Sequence, residues 1–206
     1  MQIDFERIKN KQRIFIGGNE GTEEILQIIC HTLDKINKPY ALPDSKERDL
    51  DEAPIFLYSG LDDLSPTTNS AGFHDLRPHI AVLHKIKEPT PPSYHSFEEY
   101  INQYEILADQ LPKAGTLIYY QSDNVSMIIG KKERDDLNNI EYAKIKNNIQ
   151  KDRIILKFDS GEVIINSGNH AIIGEISAAL TLLKRLGVKE EQFTESLNTL
   201  DISVQP

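Results

Sequence analysis

The chain reads as an α/β protein, a three-layer sandwich on a mainly parallel sheet with a P-loop-like start, and three observations carry that reading. Apolar runs of strand length at 13–16, 55–58, 80–83 and 115–120 are interleaved with longer segments of helical period. The first run passes through glycines directly into one of those helices. The 206 residues, 39% of them hydrophobic, are enough to bury a full core as one domain spanning 1–206. Strands separated by helices pair in parallel by crossover, so the alternation itself selects the architecture.

Taken in order, residues 1–12 form an N-terminal extension ahead of the first buried strand at 13–16. The next helix carries Ile25, Ile28, Ile29, Leu33 and Ile36 at the 3.6 period and ends at Asn37-Lys38-Pro39. Residues 43–53 are a polar loop, and the buried strands at 55–58 and 80–83 bracket a surface loop, Ser65-Pro66-Thr67-Thr68-Asn69-Ser70. Ser96 and Glu99 make a capping box for a helix that buries Phe97, Ile101, Tyr104 and Leu107 or Ala108. In the strand at 115–120, Tyr119 and Tyr120 are expected to give one core ring and one surface ring. Residues 131–152 are charged and asparagine-rich; they hold at most a weak strand pattern and are left mostly irregular. Segments 153–158 and 162–166, joined by Asp159-Ser160-Gly161, form a β-hairpin. Ile172, Ile173, Ile176, Ala179, Leu180, Leu183 and Leu186 mark a long buried helix stopped by Gly187, and a short helix through Phe193, Leu197 and Leu200 follows.

Charge and special residues narrow the function. A net charge of −9 with dispersed acids argues against nucleic acid and anionic membrane as partners. With no signal-peptide run and no membrane-length apolar stretch, a cytoplasmic protein is expected. The single cysteine, Cys30, is expected to be a small core residue. None of the six histidines has HxH or HExxH spacing, so no metal site is assigned. His74 and His79 are expected beside strands or in loops. His84 and His95 flank Glu88-Pro89-Thr90-Pro91-Pro92, either as a replacement acid/base pair or as two solvated imidazoles. There is no Gly-x-Ser-x-Gly elbow, and no catalytic residue is assigned.

The most informative stretch is Ile14-Phe15-Ile16-Gly17-Gly18-Asn19-Glu20-Gly21-Thr22-Glu23-Glu24-Ile25, laid out like a phosphate-binding loop. Such a loop cradles phosphates with backbone N–H groups, pairs them with a lysine ammonium and holds Mg²⁺ through the next hydroxyl. Here Gly21 is followed by Thr22 and then Glu23. A carboxylate about 5 Å from a phosphate oxygen is repelled by roughly 3 kcal/mol at an effective dielectric of about 20, and the missing lysine forfeits a similar attraction. After screening, on the order of three decades of affinity are forfeited. The helix does not suffer, because Glu23 and Glu24 suit the positive end of its dipole. The same residues also fit an ordinary βα turn with an acidic first turn.

These segments, in this order, resemble the central, ATP-binding domain of the Mur ligases, the ATP-dependent amide-bond-forming enzymes of peptidoglycan synthesis. The likeness runs from about residue 14 to 200 and is greatest to the branch containing murein peptide ligase and UDP-N-acetylmuramate:L-alanine ligase. Ile16-Gly17-Gly18 with the helix to Asn37-Lys38-Pro39-Tyr40 is similar to the family's P-loop segment. Arg77-Pro78-His79-Ile80-Ala81-Val82-Leu83 is similar to the strand leading to its catalytic motif, and Ser96-Phe97-Glu98-Glu99-Tyr100 with Gly115-Thr116-Leu117-Ile118-Tyr119 to the next helix and strand. Gly168-Asn169-His170, with Ala178-Ala179 and Leu186-Gly187-Val188, resembles the Gly-x-His-Asn helix that closes the domain.

The resemblance implies ATP and Mg²⁺ as cofactors, and the departures from it imply that their binding is lost. The family's P-loop lysine falls on Thr22 and its magnesium-side hydroxyl on Glu23. Its Asp-His-x-Asn/Asp motif falls on Pro89-Thr90-Pro91-Pro92, a rigid extended segment without an imidazole. Its acidic metal motif falls near Gly60-Leu61-Asp62-Asp63 and keeps one carboxylate. His170 matches the last motif, while its asparagines fall on Ala171 and Gly174. Gly17, Gly18, Gly21, Thr22, Glu23 and His170 are thus expected to form a vestigial nucleotide site. Phosphoryl transfer depends on positioning and charge stabilisation, so damage at every part of the site predicts a pseudoenzyme. The family's N-terminal UDP-binding and C-terminal Rossmann-like domains are expected to be absent, leaving a surface for a protein partner or homo-oligomer, with a peptidoglycan precursor as a further ligand. The expected role is non-catalytic binding or regulation in peptidoglycan precursor metabolism. The alternatives are a ligase subunit with a repurposed site and a purely structural oligomer.

Overall fold

The central strands of the computed structural model, which describes residues 4–60, 64 and 70–200, send alternate side chains into two separate cores. Strands β1 (Gln12–Gly17), β2 (Ile55–Ser59), β3 (Ile80–Leu83), β4 (Thr116–Tyr120) and β5 (Asn138–Tyr142) lie in the order β2-β1-β3-β4-β5, every pairing parallel. Ile14, Ile16, Ile80, Val82, Ile118 and Tyr120 face one core; Phe15, Ala81, Leu83, Leu117 and Tyr119 face the other. Strands buried on both faces must be apolar throughout, which is why these runs are so legible. It also corrects the expectation for the tyrosine pair, since Tyr119 and Tyr120 are both buried.

Seven α-helices are found among the described residues: α1 (Phe5–Ile8), α2 (Thr22–Lys35), α3 (Glu47–Glu52), α4 (Phe97–Asp109), α5 (Asn124–Lys131), α6 (Ile172–Arg185) and α7 (Glu190–Leu197). The stripes of α2, α6 and α7 fill the first core, while α4 and α5 pack in the second, giving the three layers. Gly187, at φ 80, ends α6 as the sequence pattern predicts. A separate antiparallel sheet, β6 (Asn147–Gln150), β7 (Arg153–Phe158) and β8 (Gly161–Asn166), adds Ile154, Leu156, Val163 and Ile165 to the first core.

Several expectations need correction. The polar stretch 43–53 contains α3, which buries Leu50; a helix of 6 residues is too short to show a period. Segment 131–152 is not irregular: it holds β5, an edge strand with only Tyr142 fully buried, and β6, exposed along its length. Helix α5 is short, and its signal is a cap, the Asp123 carboxylate accepting from the Ser126 N–H at 2.9 Å. In α4 the fully buried residues are Tyr100, Gln103, Tyr104, Leu107 and Ala108, whereas Phe97 and Ile101 are only partly covered at the core's edge. The Ser96 cap is present, accepting from Glu99 N–H at 3.1 Å, but Glu99 turns its carboxylate to the His95 N–H at 2.7 Å. Residues 4–12 are tied down: Ile8 is buried, and the Arg13 guanidinium donates to the carbonyls of Lys9, Lys11, Leu76 and Arg77. No helix among the described residues is long and apolar enough to cross a membrane.

Candidate functional site

The loop after β1 is shaped by two glycines and laced to the segment that follows β3. Gly18 lies at φ 135, and a Cβ there would stand 2.6 Å from the Lys85 carbonyl oxygen, so only glycine fits. The Gly18 N–H donates to Tyr104 Oη at 3.2 Å, and the Asn19 N–H to the Lys85 carbonyl at 2.8 Å. The Asn19 side chain accepts from Lys87 N–H at 2.9 Å and donates back to the Lys87 carbonyl. Gly21, at φ 77, is the N-cap of α2, and no side chain caps that helix. Its first-turn N–H groups therefore have no side-chain acceptor among the described residues. They lie at a pocket of about 410 Å³ lined by Gly18, Asn19, Gly21, Thr22, Glu23, Glu24 and Gly60. Glu23 and Glu24 are exposed there, and no lysine or arginine lines the pocket among the described residues.

Behind this loop, at the C-terminal ends of β3, β4 and β5, lies a buried polar network that sequence reasoning missed. Glu175, in the first turn of α6 and 3% exposed, takes the Lys85 ammonium at 2.6 Å and the His84 Nε2 at 3.1 Å on the same oxygen, Oε1. His84 is fully buried, and its Nδ1 meets Tyr142 Oη at 2.5 Å. Its ring stacks on Tyr120, with centroids 5.0 Å apart, and Tyr120 stacks on Tyr142 at the same spacing. Ser126 of α5 donates to the His84 carbonyl at 2.8 Å, fixing the backbone from the other layer.

The protonation states follow from these contacts. Burial pushes the Glu175 carboxyl up, but hydrogen bonds from His84 and Lys85, together with their charges, outweigh it and hold the group below the usual carboxylate range. Burial drives the His84 imidazole below its ordinary value, against the pull of Glu175, so the ring is neutral. Burial likewise keeps the Tyr142 phenol protonated. Tyr142 O–H therefore donates to His84 Nδ1, and His84 Nε2–H donates to the ionised Glu175. The second oxygen, Glu175 Oε2, is buried and has no partner among the described residues.

Of the residues read as a vestigial nucleotide site, Gly18, Gly21, Thr22 and Glu23 come together at the pocket, and Gly17 closes β1 beneath it. His170 does not join them: it is exposed ahead of α6, and its side chain has no hydrogen bond or ion pair among the described residues. What α6 presents to the loop is Glu175; a Cβ on Gly21 would lie 2.8 Å from Glu175 Cγ and closer still to its carboxylate. A lone acid inside an apolar helix pattern, five residues beyond a motif histidine, was the available signal.

Neither expectation for the His84 and His95 pair holds in full. His84 is a core residue, while His95 is exposed and bonds Glu99 at 3.1 Å. Segment 89–92 is not rigidly extended; it runs from a cis Glu88–Pro89 bond into a turn closed by Tyr94 N–H on the Pro91 carbonyl at 3.0 Å. His79 precedes β3 and accepts from the Arg13 N–H at 3.1 Å, while His74 lies in a 3₁₀ turn, Gly72–Leu76. Cys30 is partly buried against the first core, its thiol pushed up to about 11 by burial. Residues 61–63 of the expected acidic metal motif, and 65–69 of the expected surface loop, lie outside the described residues. No group of three or more His, Cys, Asp or Glu among the described residues is placed to hold a metal ion. Among the described residues the pocket offers the first-turn N–H groups of α2, two rim carboxylates and no lysine.

Comparison with solved structures places this architecture. The chain is similar to UDP-N-acetylmuramate:L-alanyl-gamma-D-glutamyl-meso-diaminopimelate ligase from Neisseria meningitides, with a TM-score of 0.73 at 11% identity over 96% of this chain and 68% of that one. It is similar to MurF from Acinetobacter baumannii, with a TM-score of 0.74 at 13% identity over 96% of this chain and 48% of that one. A third likeness is to the pseudomurein peptide ligase type C from Methanothermus fervidus, with a TM-score of 0.68 at 12% identity over 93% of this chain and 50% of that one. The chain thus spans between about half and two thirds of the length of these structures. No family model matches the sequence, and no curated protein matches it. The shared feature is the fold, that of the Mur ligase central domain.

Proposed function

We propose that this chain is a Mur-ligase-like domain that has given up ATP chemistry and serves as a non-catalytic binding or regulatory protein linked to peptidoglycan precursor metabolism. One observation carries the reading: the N-terminus of α2 opens on a pocket rimmed by Glu23 and Glu24, and no lysine or arginine lines that pocket among the described residues. Lys85, bonded to the loop through its own carbonyl, has its ammonium turned to Glu175. A phosphate seated over Gly21 would meet two carboxylates without compensation, which opposes binding by on the order of 3 kcal/mol for each at an effective dielectric of about 20 before solvent screening reduces it. The fold likeness supports the choice of pathway, and the predicted occupant is a protein partner, a second copy of the chain or a peptidoglycan precursor. Calorimetry with millimolar Mg-ATP is expected to show no binding; micromolar affinity would overturn this reading.

A further inference from the structure

We propose that Arg13, His79 and Arg77 form an oxyanion-binding site at the amino end of the parallel sheet, the edge opposite the β1–α2 loop. A mismatch of donors and acceptors carries the inference. His79 faces two donors of Arg13: the backbone N–H lies 3.1 Å from Nδ1, and the guanidinium Nη2 lies 3.3 Å from Nε2. A neutral imidazole has one lone pair, so it accepts from only one of them. With Nδ1 taken by the backbone N–H, the ring proton stands on Nε2 and points a donor at a donor. The other tautomer moves the mismatch to the backbone N–H, and protonating the ring makes it worse. Arg13 is 6% exposed, so its Nη2 is a buried donor with no acceptor among the described residues.

The rest of that guanidinium is engaged. Nε donates to the Leu76 carbonyl at 2.9 Å and Nη1 to the Lys9 carbonyl at 2.8 Å, which fixes the plane and leaves Nη2 toward the ring. Arg77 brings a second cation, its guanidinium 4.6 Å from the centroid of the Phe5 ring that Arg13 approaches at 5.0 Å. In a chain of net charge −9, neither arginine has a carboxylate partner among the described residues. Burial, and after it the Arg77 charge, holds Arg13 below its ordinary value; burial, and after it the Arg13 charge, does the same to His79. Arg77 is exposed and His79 half-buried, so the cluster is open to solvent. A water would accept from Nη2 and Nε2 but leave the two charges uncompensated, whereas an oxyanion supplies both the acceptor and the charge. The ligand class is therefore a phosphoryl or carboxylate oxyanion.

The probe is inorganic phosphate added to the full chain, with the His79 imidazole followed by NMR through a pH titration and sodium chloride holding the ionic strength equal. The His79 titration midpoint is expected to rise, saturably, by about half a pH unit or more, while that of the exposed His95 stays in place. Acetate in place of phosphate separates the sources: a rise with phosphate alone assigns a phosphoryl group, and a rise with acetate as well assigns a carboxylate. Arg77→Gln, at an exposed position, is expected to weaken the apparent phosphate affinity about threefold or more. No rise with either anion, the outcome if water alone fills the gap, overturns the site, and so does an Arg77→Gln affinity equal to that of wild type. Because the signal is that of His79, at the other end of β1, phosphate held at the α2 N-terminus does not register, and the result is independent of the proposed loss of ATP chemistry.

Discussion

Glu175 of α6 and Gly21 of the β1–α2 loop are in contact, so that the helix covering one face of the sheet is keyed to a loop position that carries no side chain. Gly21→Ala should therefore lose twice, once for the left-handed φ of 77 and once for the collision with Glu175. Gly187, at φ 80 with open space around its absent Cβ, isolates the first cost. Urea denaturation is expected to show Gly187→Ala losing about 1 kcal/mol and Gly21→Ala about 1–3 kcal/mol more. Equal losses would mean that the Glu175 contact carries no weight.

Glu175→Ala strands the Lys85 ammonium and the His84 N–H donor together. Removing one partner of a buried charged pair costs about 3–5 kcal/mol, and chemical denaturation should find a loss in that range. Adding Lys85→Met should recover part of it, because no unpaired charge then remains. A loss below about 0.5 kcal/mol would be that of a surface pair.

Stability should fall on acidification. Burial holds His84, His74 and His79 below the ordinary 6.5, so below that pH the unfolded chain takes up protons that the folded chain refuses. Their contribution is complete above 6.5 and declines as pH drops through each folded value, at most about 1.4 kcal/mol per pH unit for each ring. Glu175, held below 4.5, extends the decline in the same direction. Denaturation midpoints measured at about pH 7.5 and 5.5 check the sign; a midpoint that rises at the lower pH contradicts the burial of these rings.

Thr22→Lys with Glu23→Thr restores the lysine and hydroxyl that a phosphate loop uses. Because Gly18 and Gly21 already hold the turn, nucleotide affinity is expected to rise by about two to three decades, read by calorimetry with Mg-ATP. No rise would show that the backbone is not a cradle.

Gly130 sits inside α5, where alanine normally favours the helix. Here a Cβ would fall within the Tyr119 ring, so Gly130→Ala should destabilise by about 1–3 kcal/mol instead. Thermal unfolding gives the sign directly.

The sequence by itself determined the layered α/β fold, because a sheet buried on both faces leaves apolar runs such as Ile80–Leu83, and helices on one side leave stripes such as Ile25, Ile28, Ile29 and Leu33. It also marked the loop at Gly18 and Gly21, where no side chain can stand. It did not mark β6 or α3, whose few buried contacts leave no period to read. Only the tertiary structure decided the character of the site. It set His170 apart on the surface and joined Lys85, His84 and Tyr142 to Glu175, residues up to 91 positions apart in the chain. Periodicity records which face a residue turns to the core. Which charge meets which across that core is fixed by crossovers and register, quantities that no local pattern encodes.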